Sequence, residues 1–327
     1  MKKWVKILLW SIGGFFLVVL AASLIMYFMF LKPGYVDEPE LSGELKESII
    51  KVDGLDRSFS WYDPAKEQTP NTLLYVFHGS GSNAEEIRQS TAYGFDKIAD
   101  EDNVVIIYPN GFENHWNDCR GSADYLANTQ DIDDIAFLRE IEQFLSDKYS
   151  TKFKKRFATG HSNGGHFAFK LALEVPEWID GIAPISANMP VDENLDCRRA
   201  GKFVPIILIN GTADKINPYE GGLVTIMGNS SRGAVLSTDQ TMKYWFGLAE
   251  CLPEQSVESI DVRADDESSI LMTRFECRDK VIAQLVKVVN GGHTIPHPEN
   301  ELMPALGVNN HDINSAEEIW KFFKELD

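Results

Sequence analysis

The segment RFATGHSNGG, residues 156–165, joins a short apolar run to the spacing Gly-x-Ser-x-Gly around Ser162. A helical pattern with Phe167, Leu171 and Leu173 follows it. A serine at so sharp a strand-to-helix turn has strained backbone geometry, and large side chains two residues away on either side would clash. The segment therefore predicts a buried strand, a turn that presents Ser162 as a nucleophile, and a helix whose first N–H groups can bind an oxyanion.

Apolar runs on both sides of this segment predict an α/β fold, a mainly parallel sheet with helices on both faces. Near-continuous apolar strands are typical of a sheet that is covered on both faces. Asp131, Asp133 and Asp134 stand where a helix N-terminus favours negative charge, with a metal site as the weaker alternative. A last amphipathic helix is expected from Ser315 to Leu326. The predicted strands are Leu73–Phe77, Val104–Tyr108, Arg156–Thr159, Gly181–Ile185, Pro205–Ile209 and Ala283–Val289.

A serine nucleophile needs a base, and the base needs a third group to orient it. His293 follows the last strong strand pattern directly, and His297, which lies between two prolines, is the second candidate. Asp214 closes the turn after the strand Pro205–Ile209, at the sheet edge where the nucleophile is expected. The alternative for Asp214 is a turn residue that binds its own backbone. The predicted triad is Ser162, Asp214 and His293, in the order Ser…Asp…His.

The Gly-rich loop 78–83, HGSGSN, is expected to complete an oxyanion hole. Its donors would be the backbone N–H groups of Ser80 or Gly81, together with the N–H of Asn163. A phosphate cradle is excluded because neither a GKS/T sequence nor GxGxxG spacing is present. The residues whose segments could line a substrate pocket, or pack in the core or at its rim, are Phe112, Trp116 and Trp245.

The N-terminus carries 25 residues without a charge, from Ile7 to Leu31, preceded by Lys2, Lys3 and Lys6. At about 1.5 Å per residue, a helix of that length can cross a hydrocarbon core of roughly 30 Å. The lysines predict a cytoplasmic N-terminus. A cleaved signal peptide is the alternative, although its apolar region would be shorter. We expect residues 1–32 to form a membrane anchor, 33–44 a tether, and 45–327 one catalytic domain.

That domain is expected outside the cytoplasm, periplasmic or extracellular, or secreted if the signal is cleaved. Four of the 31 basic residues and none of the 49 acidic ones precede residue 33, so the remainder carries a formal charge of −22. Such a surface repels phosphate backbones, and nucleic acid is excluded as a partner.

Four cysteines allow three full pairings, and export makes disulfides possible. Their spacing contains no CxxC or Cys/His pattern, so no structural zinc site is expected. We expect a bond between Cys251, which follows a predicted helix containing Trp245, and Cys277, which precedes the last strand. Cys119 with Cys197 is the second expected pair.

Several blocks in conserved order are similar to the secreted polyhydroxybutyrate depolymerase and feruloyl esterase group of α/β-hydrolases. This resemblance implies the same triad, Ser162, Asp214 and His293. The chain departs from the group's pattern at Asn210, where a histidine is usual, and at Ile295, where a tryptophan is usual, which puts the pocket in doubt and leaves the chemistry intact. The blocks are residues 78–81, 108–111, 116–117, 133–137, 160–165, 211–214, 218–222, 292–294 and 319–323, with Trp245, Cys251 and Cys277.

The resulting expectation is a serine esterase that forms an acyl-enzyme on Ser162 and needs neither cofactor nor metal. Its partner would be a small or oligomeric ester: a hydroxyalkanoate oligomer, a feruloyl ester or a short acyl ester. Soluble esters are expected over solid polymer, because one domain leaves no sequence for a polymer-binding module. The alternatives are a serine peptidase of the same fold and a catalytically silent, anchored binding protein. The oligomeric state stays open.

Overall fold

The computed structural model describes residues 3–249, 251, 256–277 and 282–326. The strands are β1 Glu44–Val52, β2 Leu55–Asp63, β3 Thr72–Phe77, β4 Val105–Pro109, β5 Lys155–His161, β6 Gly181–Ile185, β7 Ile206–Gly211, β8 Gly222–Leu223, β9 Ala234–Val235, β10 Ser256–Ile260, β11 Ser269–Glu276 and β12 Ile282–Val289. The helices are α1 Lys3–Met26, α2 Ala84–Ser90, α3 Gly94–Asp102, α4 Leu126–Thr129, α5 Asp134–Tyr149, α6 Asn163–Glu174, α7 Thr238–Ala249 and α8 Ser315–Lys324.

Ten strands form one sheet in the order β1-β2-β4-β3-β5-β6-β7-β12-β11-β10. The six strands from β4 to β12 run parallel, and each edge carries an antiparallel pair, β1 with β2 and β10 with β11. The six predicted strands are these parallel ones, and the predicted α/β class is confirmed. The four outer strands were not predicted. The side chains of β1, β10 and β11 are largely exposed or half-exposed, whereas β2 is mostly buried but polar residues interrupt its apolar ones, so none of the four gives a continuous apolar run.

Two apolar cores lie on opposite faces of the sheet, because successive side chains of a strand point to opposite sides. On one face, Leu73 and Phe77 of β3 pack with α5, α6 and α7. On the other face, Leu74 and Val76 pack with α2, α3 and α8, where Phe323 is fully buried. Helices thus cover both faces. This arrangement brings the carboxyl ends of the parallel strands to one edge, where the loops that carry the candidate site residues meet.

The segment expected as a tether packs against the rest of the fold instead of forming a free linker. Gly34 and Glu301 exchange two backbone hydrogen bonds, of 3.0 and 3.1 Å. The N–H of Val36 donates to Asn300 Oδ1 at 2.9 Å, and Glu38 pairs with the guanidinium of Arg88. Backbone polar groups and one charge therefore fix residues 34–38 on the fold.

The side chains of the N-terminal helix are exposed from Phe15 onward. Within the described part of the chain, none of the helices combines the length and the apolar character that crossing a membrane requires. This finding does not support the predicted anchor.

Two disulfides join the cysteines in the expected pairs. Cys119 bonds Cys197 at a sequence separation of 78, and Cys251 bonds Cys277 at a separation of 26. The first bond lies beside the loop that follows β4, and the second joins the end of α7 to the end of β11. Each bond therefore closes a loop that would otherwise be held by noncovalent contacts alone.

Candidate active site

Ser162 occupies the turn between β5 and α6 in a strained conformation. Its φ is 56° and its ψ −117°, a region that non-glycine residues rarely adopt. The turn packs so tightly on β3 that a Cβ on Gly160 would lie 2.8 Å from Phe77 Cβ, and one on Gly164 would lie 2.5 Å from the Phe77 carbonyl oxygen. The glycines are therefore required by close packing, the steric reason that the sequence pattern indicated. Ser162 is partly exposed, whereas its neighbours His161 and Asn163 are buried.

His293 and Asp214 form a buried pair at the same edge of the sheet. The distance from His293 Nδ1 to Asp214 Oδ2 is 2.6 Å, and both side chains are nearly inaccessible to solvent. The other oxygen of Asp214 accepts the N–H groups of Ile216 and Asn217, at 2.8 and 2.9 Å. Asp214 thus binds both its own turn and the imidazole. The Nδ1–H donated to the carboxylate leaves Nε2 as the basic nitrogen.

The loop that carries His293 also contacts the turn at Ser162. His161 Nε2 donates to the carbonyl oxygen of His293 at 3.2 Å, and the two rings lie 4.8 Å apart between centroids. His297, the second candidate for the base, has another role. Its Nδ1 accepts the N–H groups of Glu299 and Asn300, at 3.1 and 2.9 Å, and so stabilises its own turn. The geometry favours His293.

The two predicted halves of the oxyanion hole lie side by side. A Cβ built on Gly79 would lie 3.5 Å from Ser162 Cβ, so the loop after β3 borders Ser162. The N–H of Gly81 donates to the Asn114 carbonyl at 2.9 Å and is therefore engaged elsewhere. This leaves Ser80 as the candidate from that loop. Asn163 is the first residue of α6, where an N–H has no acceptor within the helix.

Trp116, predicted as a possible pocket residue, is fully buried and links these two halves by hydrogen bonds. Its indole N–H donates to the His78 carbonyl at 3.0 Å. Its backbone N–H donates to Asn163 Oδ1 at 2.8 Å, and its carbonyl accepts from Asn163 Nδ2 at 3.1 Å. Trp245 is likewise fully buried and stacks on Phe169. Both tryptophans therefore pack in the core, which was the alternative prediction for them, and do not line an open pocket.

Phe112 is partly exposed and packs against a small cluster that includes Tyr125. It remains the pocket candidate among the three aromatic residues. Ile295, which stands where the resembled group has tryptophan, is buried. Its side chain joins the core beneath the loop of His293, so the departure at Ile295 changes the interior of that loop.

A buried ionic cluster, Asp118 with Arg120 and Tyr125, lies directly behind Asn163. Asp118 Oδ2 accepts from Arg120 Nη2 at 2.5 Å, from the Tyr125 hydroxyl at 2.6 Å and from Asn163 Nδ2 at 2.7 Å. Burial opposes ionisation of Asp118, but the adjacent guanidinium holds the pKa of this carboxyl below its ordinary value. These residues were not predicted from the sequence, although Asp118 directly follows the block Trp116-Asn117.

Three histidines beside the site are buried as neutral groups. Burial lowers the pKa of His78 to about 4. Burial also lowers the pKa of His161 well below its ordinary value, and the neighbouring His293 lowers it further. For His166 burial lowers the pKa in the same way, with a contribution from Arg120. These rings therefore contribute no positive charge at neutral pH.

The aspartate cluster before α5 has a structural role. Asp133 Oδ1 accepts the N–H of Ala136 at 2.7 Å and caps the helix, as the sequence indicated. Asp134 is buried and pairs with Arg57 Nη2 at 2.6 Å. Within the described residues no group of three or more His, Cys, Asp or Glu side chains could hold a metal ion.

The fold and the site together define an α/β-hydrolase. The family model described as "Putative esterase" matches residues 54–193. "Putative esterase NocK" of Nocardia uniformis subsp. tsuyamanensis is 25% identical over 256 residues, which cover 75% of this chain and 72% of that protein. Feruloyl esterase C of Emericella nidulans is 24% identical over 201 residues, 58% of this chain and 65% of its own length.

Among solved structures, the acetyl xylan esterase of Aspergillus awamori has the same fold. Its TM-score is 0.53 at 12% identity, and the match covers 86% of this chain and 99% of that one. At such low identity the likeness shows the fold alone. The family match over residues 54–193 and the related sequences support an esterase-like α/β-hydrolase, a serine hydrolase of carboxylic esters.

Proposed function

We propose that Ser162, His293 and Asp214 are the catalytic triad of this esterase. The observation that carries the proposal is the buried 2.6 Å hydrogen bond between His293 and Asp214. It is supported by the strained turn that presents Ser162 at the same sheet edge. A base oriented by a buried carboxylate is what a weak serine nucleophile requires.

In the proposed mechanism, Ser162 Oγ attacks the ester carbonyl while His293 Nε2 takes its proton. The negative charge that develops on the carbonyl oxygen is stabilised by the N–H groups of Asn163 and Ser80. His293 then gives the proton to the leaving alcohol, and an acyl group remains on Ser162. Water activated by His293 hydrolyses this acyl-enzyme. Asp214 keeps the proton on Nδ1 and stabilises the imidazolium.

We propose soluble esters as substrates: hydroxyacid oligomers, feruloyl esters or short acyl esters. The feruloyl esterase name of one relative supports the second class. The resemblance to polyhydroxybutyrate depolymerases supports the first. The two disulfides support an extracytoplasmic or secreted location, because such bonds persist in oxidising compartments. Membrane attachment through residues 1–32 is part of the proposal and rests on the uncharged N-terminal run alone.

Hydrolysis of a short panel tests this function: p-nitrophenyl acetate, methyl ferulate, a hydroxybutyrate dimer and a peptide p-nitroanilide. Wild-type protein should cleave the esters and leave the anilide intact. Ser162→Ala should lower turnover by about 10⁵-fold or more with the fold unchanged. Ester hydrolysis that survives in folded Ser162→Ala would contradict the proposal, and preferential cleavage of the anilide would favour a peptidase.

A further inference from the structure

Arg232 lies beside Tyr125, which contacts the residue that follows Ser162, although Arg232 is remote from both in sequence. Its guanidinium carbon is 6.0 Å from the centre of the Tyr125 ring. The Tyr125 hydroxyl accepts a hydrogen bond from Asn163 Nδ2 at 3.2 Å, and Asn163 follows Ser162 directly. His115 stacks on the same tyrosine, with 4.7 Å between ring centroids. The positive charge of Arg232 therefore stands beside Tyr125, which is hydrogen-bonded to Asn163, the residue after the catalytic serine.

The backbone holds Arg232 in a fixed position. The buried side chain of Asn194 donates to the carbonyl oxygens of Arg232 and Ala234, both at 3.0 Å, and accepts the N–H of Ser122 at 3.0 Å. Gly233 has a φ of +71°, and a Cβ there would lie 2.5 Å from Asn194 Nδ2. The turn is therefore built around Asn194, and it ties Arg232 to the loop that carries the cluster of Asp118, Arg120 and Tyr125.

Arg232 forms no ion pair within the described part of the chain, and its Nε atom is buried without a hydrogen-bond partner. Burial, and then the nearby Arg120, lower the pKa of Arg232, while Asp124 and Asp118 oppose that shift without contacting the guanidinium. Asp118 instead pairs with Arg120, and Asp124 accepts from the Ser231 hydroxyl at 2.8 Å. A half-buried cation without a carboxylate is unexpected in a chain with a net charge of −18.

We propose that Arg232 binds a carboxylate carried by the substrate. The inference rests on the proposed esterase function and selects among its substrate classes. Hydroxyacid oligomers end in a free carboxylate, whereas feruloyl and short alkyl esters are neutral. A guanidinium matches a carboxylate through two parallel N–H···O bonds, and partial burial strengthens that contact. The preferred substrate is therefore an anionic hydroxyacid oligomer.

A matched pair of substrates isolates this charge. The 3-hydroxybutyrate dimer and its terminal carboxamide contain the same single ester bond and differ only in the carboxylate. Both are assayed with wild-type protein, Arg232→Gln and Arg232→Lys at low ionic strength and in 0.5 M NaCl. Arg139→Gln is the control, because Arg139 lies on α5 at a separate surface cleft. p-Nitrophenyl acetate serves as a neutral reference substrate.

Wild-type kcat/KM should favour the acid over the carboxamide by about tenfold, which is about 1.4 kcal/mol. Arg232→Gln should raise the KM for the acid about tenfold and leave that for the carboxamide unchanged. Arg232→Lys should restore part of the preference, and salt should weaken it. Equal values for both substrates in the wild type, or equal losses in Arg232→Gln, would overturn the inference alone. Absence of turnover of all three esters would instead overturn the proposed function, and this inference with it.

Discussion

Two buried aspartates near Ser162 differ in the kind of basic side chain that each one binds. Asp214 bonds the imidazole of His293, a group that can accept a proton from a nucleophile. Asp118 bonds Arg120, which stays charged at every accessible pH. The difference separates two duties of a buried carboxylate. Asp214 can orient a base that takes part in proton transfer, whereas Asp118 can only fix the positions of the groups around it.

Of the two aspartates, Asp214 should give the larger loss of kcat when it is substituted. Asp214→Asn keeps the size of the side chain but presents an amide N–H to His293 Nδ1, which favours the wrong imidazole tautomer. We expect kcat to fall by about 10⁴-fold, with little change in KM or in the free energy of unfolding. Steady-state kinetics with p-nitrophenyl acetate and urea unfolding measure the two quantities. A loss of kcat below tenfold in folded protein would remove Asp214 from the triad.

Asp118→Asn should instead have a large effect on stability and a small effect on kcat. The substitution leaves Arg120 buried without its counter-charge, and such a loss costs about 3–5 kcal/mol of stability. Because Asn163 Nδ2 also loses the only charged group among its three acceptors, kcat should fall about tenfold. Asp96→Asn is the matched control. Asp96, on α3, is buried, and its Oδ2 lies 2.6 Å from Nε of Arg88, on α2.

Asp96→Asn should also destabilise the protein, by less than Asp118→Asn because Glu38 still pairs with Arg88, and it should leave kcat unchanged. If Asp118→Asn and Asp96→Asn have the same kcat relative to the wild type, Asp118 does not position the site.

The smallest expected effect is the pH dependence that comes from His78. Burial lowers the pKa of His78 to about 4, whereas an unfolded histidine titrates near 6.5. As pH falls below 6.5 the unfolded chain binds the proton first, so stability decreases as the pH approaches 4. His78 should contribute a loss of about 2 kcal/mol between pH 7 and pH 5. Urea unfolding at the two pH values should show a smaller loss in His78→Gln, and an equal loss would contradict the assignment.

The parallel strands and the turn at Ser162 could be predicted because short-range patterns determine them. Continuous apolar runs mark strands that are covered on both faces, and Gly160 and Gly164 are required by packing against β3. Asp214 and His293 were predictable for the same reason, since each follows a strand at the same edge of the sheet.

Other features depend on contacts between distant segments. No local spacing indicates that Trp116 is buried and hydrogen-bonded to both His78 and Asn163. Nor does it indicate that the N–H of Gly81 donates to Asn114, or that Arg232 lies near Tyr125. Residues 33–44 were predicted as a tether because they contain two prolines and several acidic residues. Their partners, Asn300 and Arg88, lie far away in sequence.

The most direct test of the central claim is the site and rate of labelling by a fluorophosphonate, read by peptide mass spectrometry. We predict a single adduct on Ser162 in the wild type and in His297→Ala. In His293→Ala the labelling rate should fall by several orders of magnitude while the protein stays folded. An adduct on another residue, or wild-type labelling of His293→Ala, would contradict the assignment of Ser162 as nucleophile and His293 as its base.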